Sequence, residues 1–289
     1  MSERDPYVVI GNPVAHSKSP AIHAAFAAQT GEAVAYAHRL APLDGFEASV
    51  REFIAAGGRG ANVTVPFKLE AHALADTLSP RAVAAGAVNT LRFDADGGIY
   101  GDNTDGVGLV RDIEQNLGVS LAGARILLLG AGGAGGAGGA ARGVVLPMLD
   151  RAPLSIDIVN RTASKAEALV SQFMQAAHDA GCALAGGSAA IVERRPYDVI
   201  VNATAGSLDA ALPECDAAAF GAGTLAYDMM YSAQPTVFMR HAASLGARPT
   251  DGLGMLVEQA AESFYLWRGV RPDGAPVLAA VRDALAAAA

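Results

Sequence analysis

A run of glycine and alanine, GAGGAGGAGGAARG at positions 130–143, follows the strand-like stretch ARILLLG and leads into a helical stretch. A G-x-G-x-x-G turn between a strand and a helix lets backbone N–H groups approach a pyrophosphate at the N-terminus of the helix. Three registers fit this motif, and they begin at Gly130, at Gly133 and at Gly136. The run therefore predicts a dinucleotide-binding turn, and it leaves open which glycines contact the phosphates.

The run is longer than one such turn requires. Removal of six residues, two copies of G-G-A, leaves GAGGAARGVV, which is an ordinary phosphate-binding turn. We interpret the surplus as a tandem insertion into a working site. The alternative is a flexible linker, which the regular strand and helix on either side disfavour.

The end of the next strand, LSIDIVN, indicates which dinucleotide binds. Asn160 ends this strand, Asp157 lies too early to reach a ribose, and Arg161, Thr162 and Lys165 follow. A guanidinium, a hydroxyl and an ammonium suit a 2′-phosphate, so the sequence favours NADP over NAD. The alternative is that both cations are merely solvated at a helix start, where the helix dipole disfavours them.

Strands and helices alternate along the whole chain, which is typical of a parallel sheet covered by helices. The first half has strand-like runs, helical runs and a hairpin around DADGG, in this order: 7–11, 19–31, 34–40, 43–58, 60–65 and 94–98. The second half continues the alternation: 105–118, 124–130, 154–160, 164–181, 197–204 and 224–229.

This pattern predicts an α/β protein with two domains. We expect a mixed α/β substrate-binding and catalytic domain over residues 1–104 and a Rossmann-type, doubly wound NADP-binding domain over residues 105–254. The C-terminal helices, 255–289, are expected to pack back on the first domain. The ligand site is then expected in the cleft between the domains.

Composition excludes several classes of protein. The formal net charge is −8 with no basic block, which argues against a nucleic-acid partner. The two cysteines form no C-x-x-C pair and imply no disulfide framework. The N-terminus resembles no signal peptide, and no apolar stretch is long enough to span a membrane. We therefore expect a cytoplasmic protein. We also expect no bound metal, because the histidines lack metal-ligand spacing.

Four polar stretches follow strand-like runs: NPVAHSKSP (12–20), NVTVPFK (62–68), AVNT with GDNTDG (87–90 and 101–106) and DGLGMLVEQA (251–260). Ser17 and Ser19 stand before a helix, where hydroxyls and the positive helix end can bind a carboxylate. Equally, Ser19 could simply cap that helix. Asn62 and Thr64 lie two apart, on one face of a strand.

Together with GAGGA, NRT and NAT, these stretches resemble the shikimate dehydrogenase family, over essentially the whole chain and in the family's order. The resemblance implies NADP-dependent, reversible reduction of 3-dehydroshikimate to shikimate. It also implies that Lys68 and Asp105 form the catalytic pair. Hydride addition to a ketone generates negative charge on oxygen, and Lys68 could supply the proton while Asp105 holds Lys68. Asp105 could also, or instead, cap the helix that follows it.

The resemblance implies further contacts. Those to the hydroxylated, carboxylated ring come from Ser17, Ser19, Thr64, Asn89, Asp105, Tyr231, Gln259 and, by extension, Asn62. Those to NADP come from Gly130, Ala131, Gly132, Gly133, Ala134, Asn160, Arg161, Thr162, Ala163, Ser164, Lys165, Thr204, Met229 and Gly252. Met229 could instead fill the core, and Tyr231 could be a half-buried packing residue.

The sequence departs from the family pattern at two places. The insertion obscures the phosphate contacts, and alanine follows His23 where family members often carry asparagine.

A quinate/shikimate dehydrogenase with relaxed substrate or cofactor choice is the nearest alternative. A non-catalytic, metabolite-sensing homologue is the other, although it would be expected to lose the Lys68–Asp105 pair or the glycine turn. We expect a monomer or a homodimer.

Overall fold

The computed structural model describes residues 4–131, 138–204 and 212–287. They form two compact units: residues 1–108 with 256–283, and residues 109–255 with the end of the chain after residue 283. The expected division at 104/105 falls four residues before the observed one. Residues 256–283 of the C-terminal region belong to the first unit, and the residues after 283 group with the second. The assignment of a catalytic domain and an NADP-binding domain stays a prediction.

The first unit is built on a mixed six-stranded sheet in the order β2-β1-β3-β5-β6-β4. Its strands are β1 (Asp5–Gly11), β2 (Val34–Leu40), β3 (Gly60–Val63), β4 (Thr77–Leu78), β5 (Thr90–Phe93) and β6 (Ile99–Asp102). Strands β1, β2 and β3 pair in parallel, whereas β5 is antiparallel to both β3 and β6. The β5–β6 pairing confirms the predicted hairpin.

Short helices connect these strands: α1 (Ser19–Thr30), α2 (Phe46–Ala55), α3 (Lys68–Leu74) and α4 (Pro80–Ala85). Gly31 ends α1 in a left-handed conformation, as its place after an apolar run predicts. Ile10 of β1 and Ile22 and Phe26 of α1 are fully buried. Burial of each such side chain contributes about 1.5–3 kcal/mol to the hydrophobic stabilisation.

The second unit has a six-stranded sheet in the order β12-β11-β10-β7-β8-β9, and every pairing in it is parallel. Its strands are β7 (Arg125–Leu129), β8 (Ser155–Val159), β9 (Ala183–Gly187), β10 (Val199–Asn202), β11 (Leu225–Asp228) and β12 (Arg248–Thr250). Counted within the unit, this is the order 3-2-1-4-5-6 of the Rossmann fold. The predicted doubly wound sheet is therefore confirmed.

Helices α6 (Gly138–Leu149), α7 (Ala163–Asp179) and α8 (Val237–Ser244) belong to this second unit. Helix α5 (Asp105–Arg111) crosses the boundary between the units at residue 108, and α9 (Leu253–Arg268) crosses it at residue 255. Helix α10 (Gly274–Ala287) follows. No helix in the described part of the chain is both long and apolar enough to cross a membrane.

Candidate active site

Lys68 and Asp105, the predicted catalytic pair, are in direct contact in the first unit. The Lys68 ammonium donates a hydrogen bond to Asp105 Oδ2 at 2.7 Å, and their side chains are only 24% and 12% exposed. Lys68 is the first residue of α3, which follows a tight turn in which the Phe67 N–H donates to the Thr64 carbonyl. The ammonium therefore keeps access to solvent while its carboxylate partner is largely shielded.

The idea that Asp105 caps the following helix is wrong. Helix α5 begins at Asp105 itself, and its carboxylate accepts hydrogen bonds from other segments of the chain. Asn89 Nδ2 donates to Asp105 Oδ1 at 2.8 Å, so each carboxylate oxygen has its own donor. A carboxylate held at both oxygens has a defined orientation, which in turn orients the Lys68 ammonium.

Asn89 is the centre of the surrounding hydrogen-bond network. Its Oδ1 accepts from the Thr104 N–H at 2.9 Å, and its Nδ2 also lies 3.0 Å from Thr104 Oγ1 and 3.3 Å from Gln259 Oε1. Gln259 lies on α9, and its own Nε2 donates to the Leu256 carbonyl. Four of the predicted residues, Lys68, Asn89, Asp105 and Gln259, are thus brought together from segments distant in sequence.

Asn62 is a buried residue of β3 in the same unit. Its Nδ2 is within 3.1 Å of Thr90 Oγ1 and 2.9 Å of Ser263 Oγ, and its Oδ1 accepts from the Tyr36 hydroxyl at 2.7 Å. The Asn62 amide is therefore held by this chain's own groups on both sides. Its predicted contact with the substrate ring stays a prediction.

Ser17 and Ser19 form a local pair at the start of α1. Their hydroxyl oxygens lie 3.1 Å apart, and the Ser19 N–H points to Ser17 Oγ at 3.3 Å. The suggestion that Ser19 caps the helix is wrong, because Lys18 occupies the N-cap position and Ser19 is the first helical residue. The two hydroxyls converge at a positive helix end, which suits a carboxylate ligand. Thr64, half-buried, directly follows β3.

In the second unit, the described part of the glycine run begins with a constrained turn. Gly130 has a φ of +103°, and a Cβ there would lie 2.9 Å from the methyl group of Thr204, so a side chain is excluded on two grounds. The next N–H, of Ala131, donates to Asn160 Oδ1 at 3.1 Å. The predicted residues Gly132, Gly133 and Ala134 lie outside the described residues. The prediction that one of three registers binds the phosphates therefore stays a prediction.

The predicted 2′-phosphate segment follows β8. The Asn160 Nδ2 donates to the Thr162 carbonyl at 3.0 Å, which shapes the turn into α7 at Ala163. Arg161, Thr162, Ser164 and Lys165 are exposed. Asp157, the acidic residue inside β8, accepts a hydrogen bond from the Tyr197 hydroxyl at 2.7 Å. The end of this strand therefore presents cations and hydroxyls, a donor set that fits a 2′-phosphate.

Comparison with known proteins decides the family. The shikimate dehydrogenase substrate binding domain matches residues 9–91, and the shikimate 5′-dehydrogenase C-terminal domain matches residues 252–282. The shikimate dehydrogenase (NADP(+)) of Cupriavidus necator is 58% identical over 287 residues, which are 98% of this chain and 95% of that relative. The chain belongs to the shikimate dehydrogenase family.

Solved structures agree with this membership. A Pseudomonas putida protein described as an Ael1 enzyme has a TM-score of 0.87 and 45% identity, with 95% of this chain and 97% of that one covered. The shikimate 5-dehydrogenase of Thermus thermophilus, in complex with NADP(H) and shikimate, has a TM-score of 0.79 and 34% identity, with 97% and 100% covered. The resemblance inferred from the motifs is confirmed.

Met229 and Gly252 are neighbours in the second unit. The Gly252 N–H donates to the Met230 carbonyl at 3.0 Å, and a Cβ at Gly252 would lie 2.2 Å from the Met229 carbonyl oxygen. Only glycine fits this approach. Met229 and Tyr231 are half-buried, and burial raises the pKa of Tyr231, with nearby Asp251 acting in the same direction. Because Met229 is half-buried, it is not a core residue. The predicted contacts of Met229 with NADP and of Tyr231 with the substrate ring stay predictions.

Sequence reasoning missed several polar residues of the site in this family member. Thr104 and Ser263 complete the hydrogen bonds of Asn89 and Asn62, and Asp102 binds Arg81 through both of its carboxylate oxygens. Asp102 and Thr104 stand in the motif GDNTDG, so strand-end position could have drawn attention to them. Arg81 and Ser263 give no such signal. No cluster of potential metal ligands occurs among the described residues.

His23, which precedes the alanine that departs from the family pattern, is completely buried in the first unit. Its ring stacks on Tyr36 with centroids 4.2 Å apart, next to Phe26, Phe264 and Trp267. Burial lowers the pKa of His23 to about 3, and an interaction with Asn62 opposes the shift. The imidazole is therefore neutral at physiological pH and serves as an aromatic packing element.

We expect this burial to make the protein sensitive to acid. The unfolded chain takes up a proton on His23 below its ordinary pKa of about 6.5, whereas the folded chain does not until about pH 3. Stability is therefore lost as the pH falls through this window, by about 1.4 kcal/mol between pH 7.5 and pH 5.5. Urea unfolding at the two pH values measures this loss.

His23→Phe keeps a ring in the stack and removes the titration, so its unfolding free energy should fall less over the same interval. His178→Gln is the control, because the side chain of His178 is 84% exposed. An identical pH dependence in wild type and His23→Phe would contradict this account.

Proposed function

We propose that this shikimate dehydrogenase family member reduces 3-dehydroshikimate reversibly to shikimate with NADPH, in the biosynthesis of chorismate and the aromatic amino acids. The observation that carries the proposal is the 2.7 Å contact between Lys68 Nζ and Asp105 Oδ2, surrounded by Asn89 and Gln259. A non-catalytic homologue has no need for an ammonium held this way, and this favours an enzyme.

The reduction of a ketone requires a hydride at the carbonyl carbon and a proton at the carbonyl oxygen. When bound, NADPH supplies a hydride to the carbonyl carbon. Lys68 stabilises the charge that develops on the oxygen and donates the proton that completes the hydroxyl; in the oxidative direction it accepts that proton. Asp105 keeps the ammonium oriented, because its other oxygen is fixed by Asn89.

The remaining residues of the first unit bind the ring. Ser17 and Ser19 bind the carboxylate, since their hydroxyls converge at the N-terminus of α1. Thr64, Asn89 and Gln259 bind ring hydroxyls, and Asn62 is a further contact from the same unit. Tyr231, which belongs to the second unit, completes the proposed set of ring contacts. Small hydroxyls and amides select an oxygenated ring because they lose hydrogen bonds with an analogue that lacks those oxygens.

NADP is held by the second unit in this proposal. Gly130 and Ala131 lead into the pyrophosphate-binding turn, Asn160 shapes its edge, and Arg161 with Lys165 binds the 2′-phosphate. Thr162, Ala163 and Ser164 complete the 2′-phosphate segment. Met229 and Gly252 border the nicotinamide end, and Thr204 also lies near the cofactor. Asp157 lies inside β8 and accepts a hydrogen bond from Tyr197, so its carboxylate does not stand at the end of the strand, where it would repel that phosphate.

A cross of two substrates with two cofactors tests the proposal. Steady-state kcat/KM values are measured for shikimate and quinate, each with NADP and NAD. Shikimate with NADP should give the highest value. The absence of turnover with shikimate would overturn the proposal, and a higher value for quinate or NAD would replace it with the quinate/shikimate alternative.

We further propose that the enzyme works in the cytoplasm, as a monomer or homodimer. Cys182 and Cys215 are both free thiols, as a reducing compartment allows. Sedimentation of the purified protein distinguishes the two assembly states.

A further inference from the structure

An ion-pair network around a buried aspartate lies beside the candidate site and has no part in the function proposed so far. Asp102, the last residue of β6, is 1% exposed. Its carboxylate accepts hydrogen bonds from Arg81 Nε at 2.7 Å and Nη2 at 2.5 Å, and from Ser79 Oγ at 2.5 Å. Such a dense set of donors holds one side chain in one conformation.

Asp102 joins two segments that carry site residues. Its backbone carbonyl accepts from the Asn89 N–H at 3.0 Å, and its Oδ1 accepts from the Asn103 N–H at 2.7 Å. Asn103 Oδ1 in turn accepts from the Asp105 N–H at 3.2 Å, and Asn103 Nδ2 donates to the Ala87 carbonyl at 3.0 Å. The conformation of Asp102 therefore sets the backbone that delivers both Asn89 and Asp105.

Arg81 extends the network to a third segment. The same Nη2 that binds Asp102 also lies 3.0 Å from Glu262 Oε1, on α9. Glu262 stands three residues after Gln259, and its second oxygen accepts from Arg271. One guanidinium thus connects the end of β6 to the helix that places Gln259 against Asn89.

We propose that Arg81 is a positioning residue: through Asp102 and Glu262 it holds in register the three segments that carry Asn89, Asp105 and Gln259. The inference rests on the proposed function, because it assigns a role within that site. A planar, bidentate guanidinium suits this role, whereas an ammonium could hold only one of the two carboxylates with comparable geometry.

Arg81→Met is the main test, with kcat and KM for shikimate, the Kd for NADPH and the melting temperature as readouts. We expect kcat/KM for shikimate to fall about 10- to 100-fold, because small displacements of positioned groups cost this much. The Kd for NADPH should stay within about twofold, and dividing the rates by NADPH-binding sites corrects for unfolded protein. Arg81→Lys should restore part of the activity.

Arg92→Met is the matched control. Arg92, on the neighbouring strand β5, forms a 2.7 Å ion pair with Asp94, but these two side chains are 35% and 39% exposed. The variant should keep wild-type kinetics. Glu262→Gln keeps the Arg81–Asp102 pair and weakens the ion pairs of Glu262 with Arg81 and Arg271, so it should raise KM for shikimate without changing the Kd for NADPH.

Wild-type kcat and KM in folded Arg81→Met would overturn the inference. If Arg81→Met does not fold, wild-type kinetics in both Arg81→Lys and Glu262→Gln would do the same. Failure of the proposed function is a separate result, because the wild-type protein itself would then not turn over shikimate.

Discussion

Replacement of Lys68 by methionine is expected to lower kcat for shikimate oxidation by about 1000-fold, within the range that a positioned acid–base group contributes. Methionine keeps the length of the side chain and removes the ammonium. The reacting oxygen then loses its proton donor and acceptor, and Asp105 loses the hydrogen bond to its Oδ2. The Kd for NADPH, measured by fluorescence titration, should change little, because the glycine turn and the 2′-phosphate segment belong to the other unit.

Glu70→Gln is the matched control, since Glu70 is an exposed residue of the same helix turn as Lys68. Its kcat should equal that of the wild type. A Lys68→Met protein that turns over shikimate at the wild-type rate would refute the catalytic role of Lys68. A proportional loss of NADPH binding would indicate a folding defect instead.

Replacement of Arg161 by alanine is expected to raise KM for NADPH about 10- to 100-fold, the equivalent of losing a charge-assisted contact with the 2′-phosphate. NADH has no 2′-phosphate, so its KM should stay close to the wild-type value. The ratio of kcat/KM for the two cofactors, with 3-dehydroshikimate as substrate, measures the effect.

Arg194→Ala tests whether any exposed arginine of the same unit has this effect, because the side chain of Arg194 is 84% exposed. It should leave the cofactor ratio unchanged. Equal losses with NADPH and NADH in Arg161→Ala would contradict binding of the 2′-phosphate by this residue and would point to a general change in the turn.

The predicted elements agree with the structure where they depend on hydrophobic periodicity and on residues such as glycine that end a helix or a strand. Strand β2 has the predicted bounds, and α1 ends before Gly31 as expected. The order of the parallel strands in the second unit follows from short right-handed crossovers, which leave few alternatives for an alternating chain. The sequence does not predict strand β9, because the AGG within it is typical of a loop.

Helix α5 shows where local pattern fails. The sequence predicts one helix over 105–118, but a π-helical segment replaces the α-helix at Asp112–Asn116. The first residue of this segment has partners far away in sequence: Asp112 is buried and accepts a hydrogen bond from the Tyr227 hydroxyl at 2.6 Å, while a Cβ at Gly254 would overlap its carboxylate. A buried carboxylate needs such partners, and a helical pattern along 105–118 does not indicate where they are.

The amino-acid sequence alone determined the Rossmann-type sheet and the preference for NADP, because these depend on residue types at short spacings. The choice of Lys68 and Asp105 as a pair came from the order of the motifs, which resembles that of the shikimate dehydrogenase family. The tertiary structure alone decided that Asn89 is the centre of the hydrogen-bond network around Asp105, and that Arg81 connects Asp102 with Glu262. Those features are hydrogen bonds between residues tens to hundreds of positions apart, and no periodicity within a short stretch encodes which distant donors and acceptors will meet.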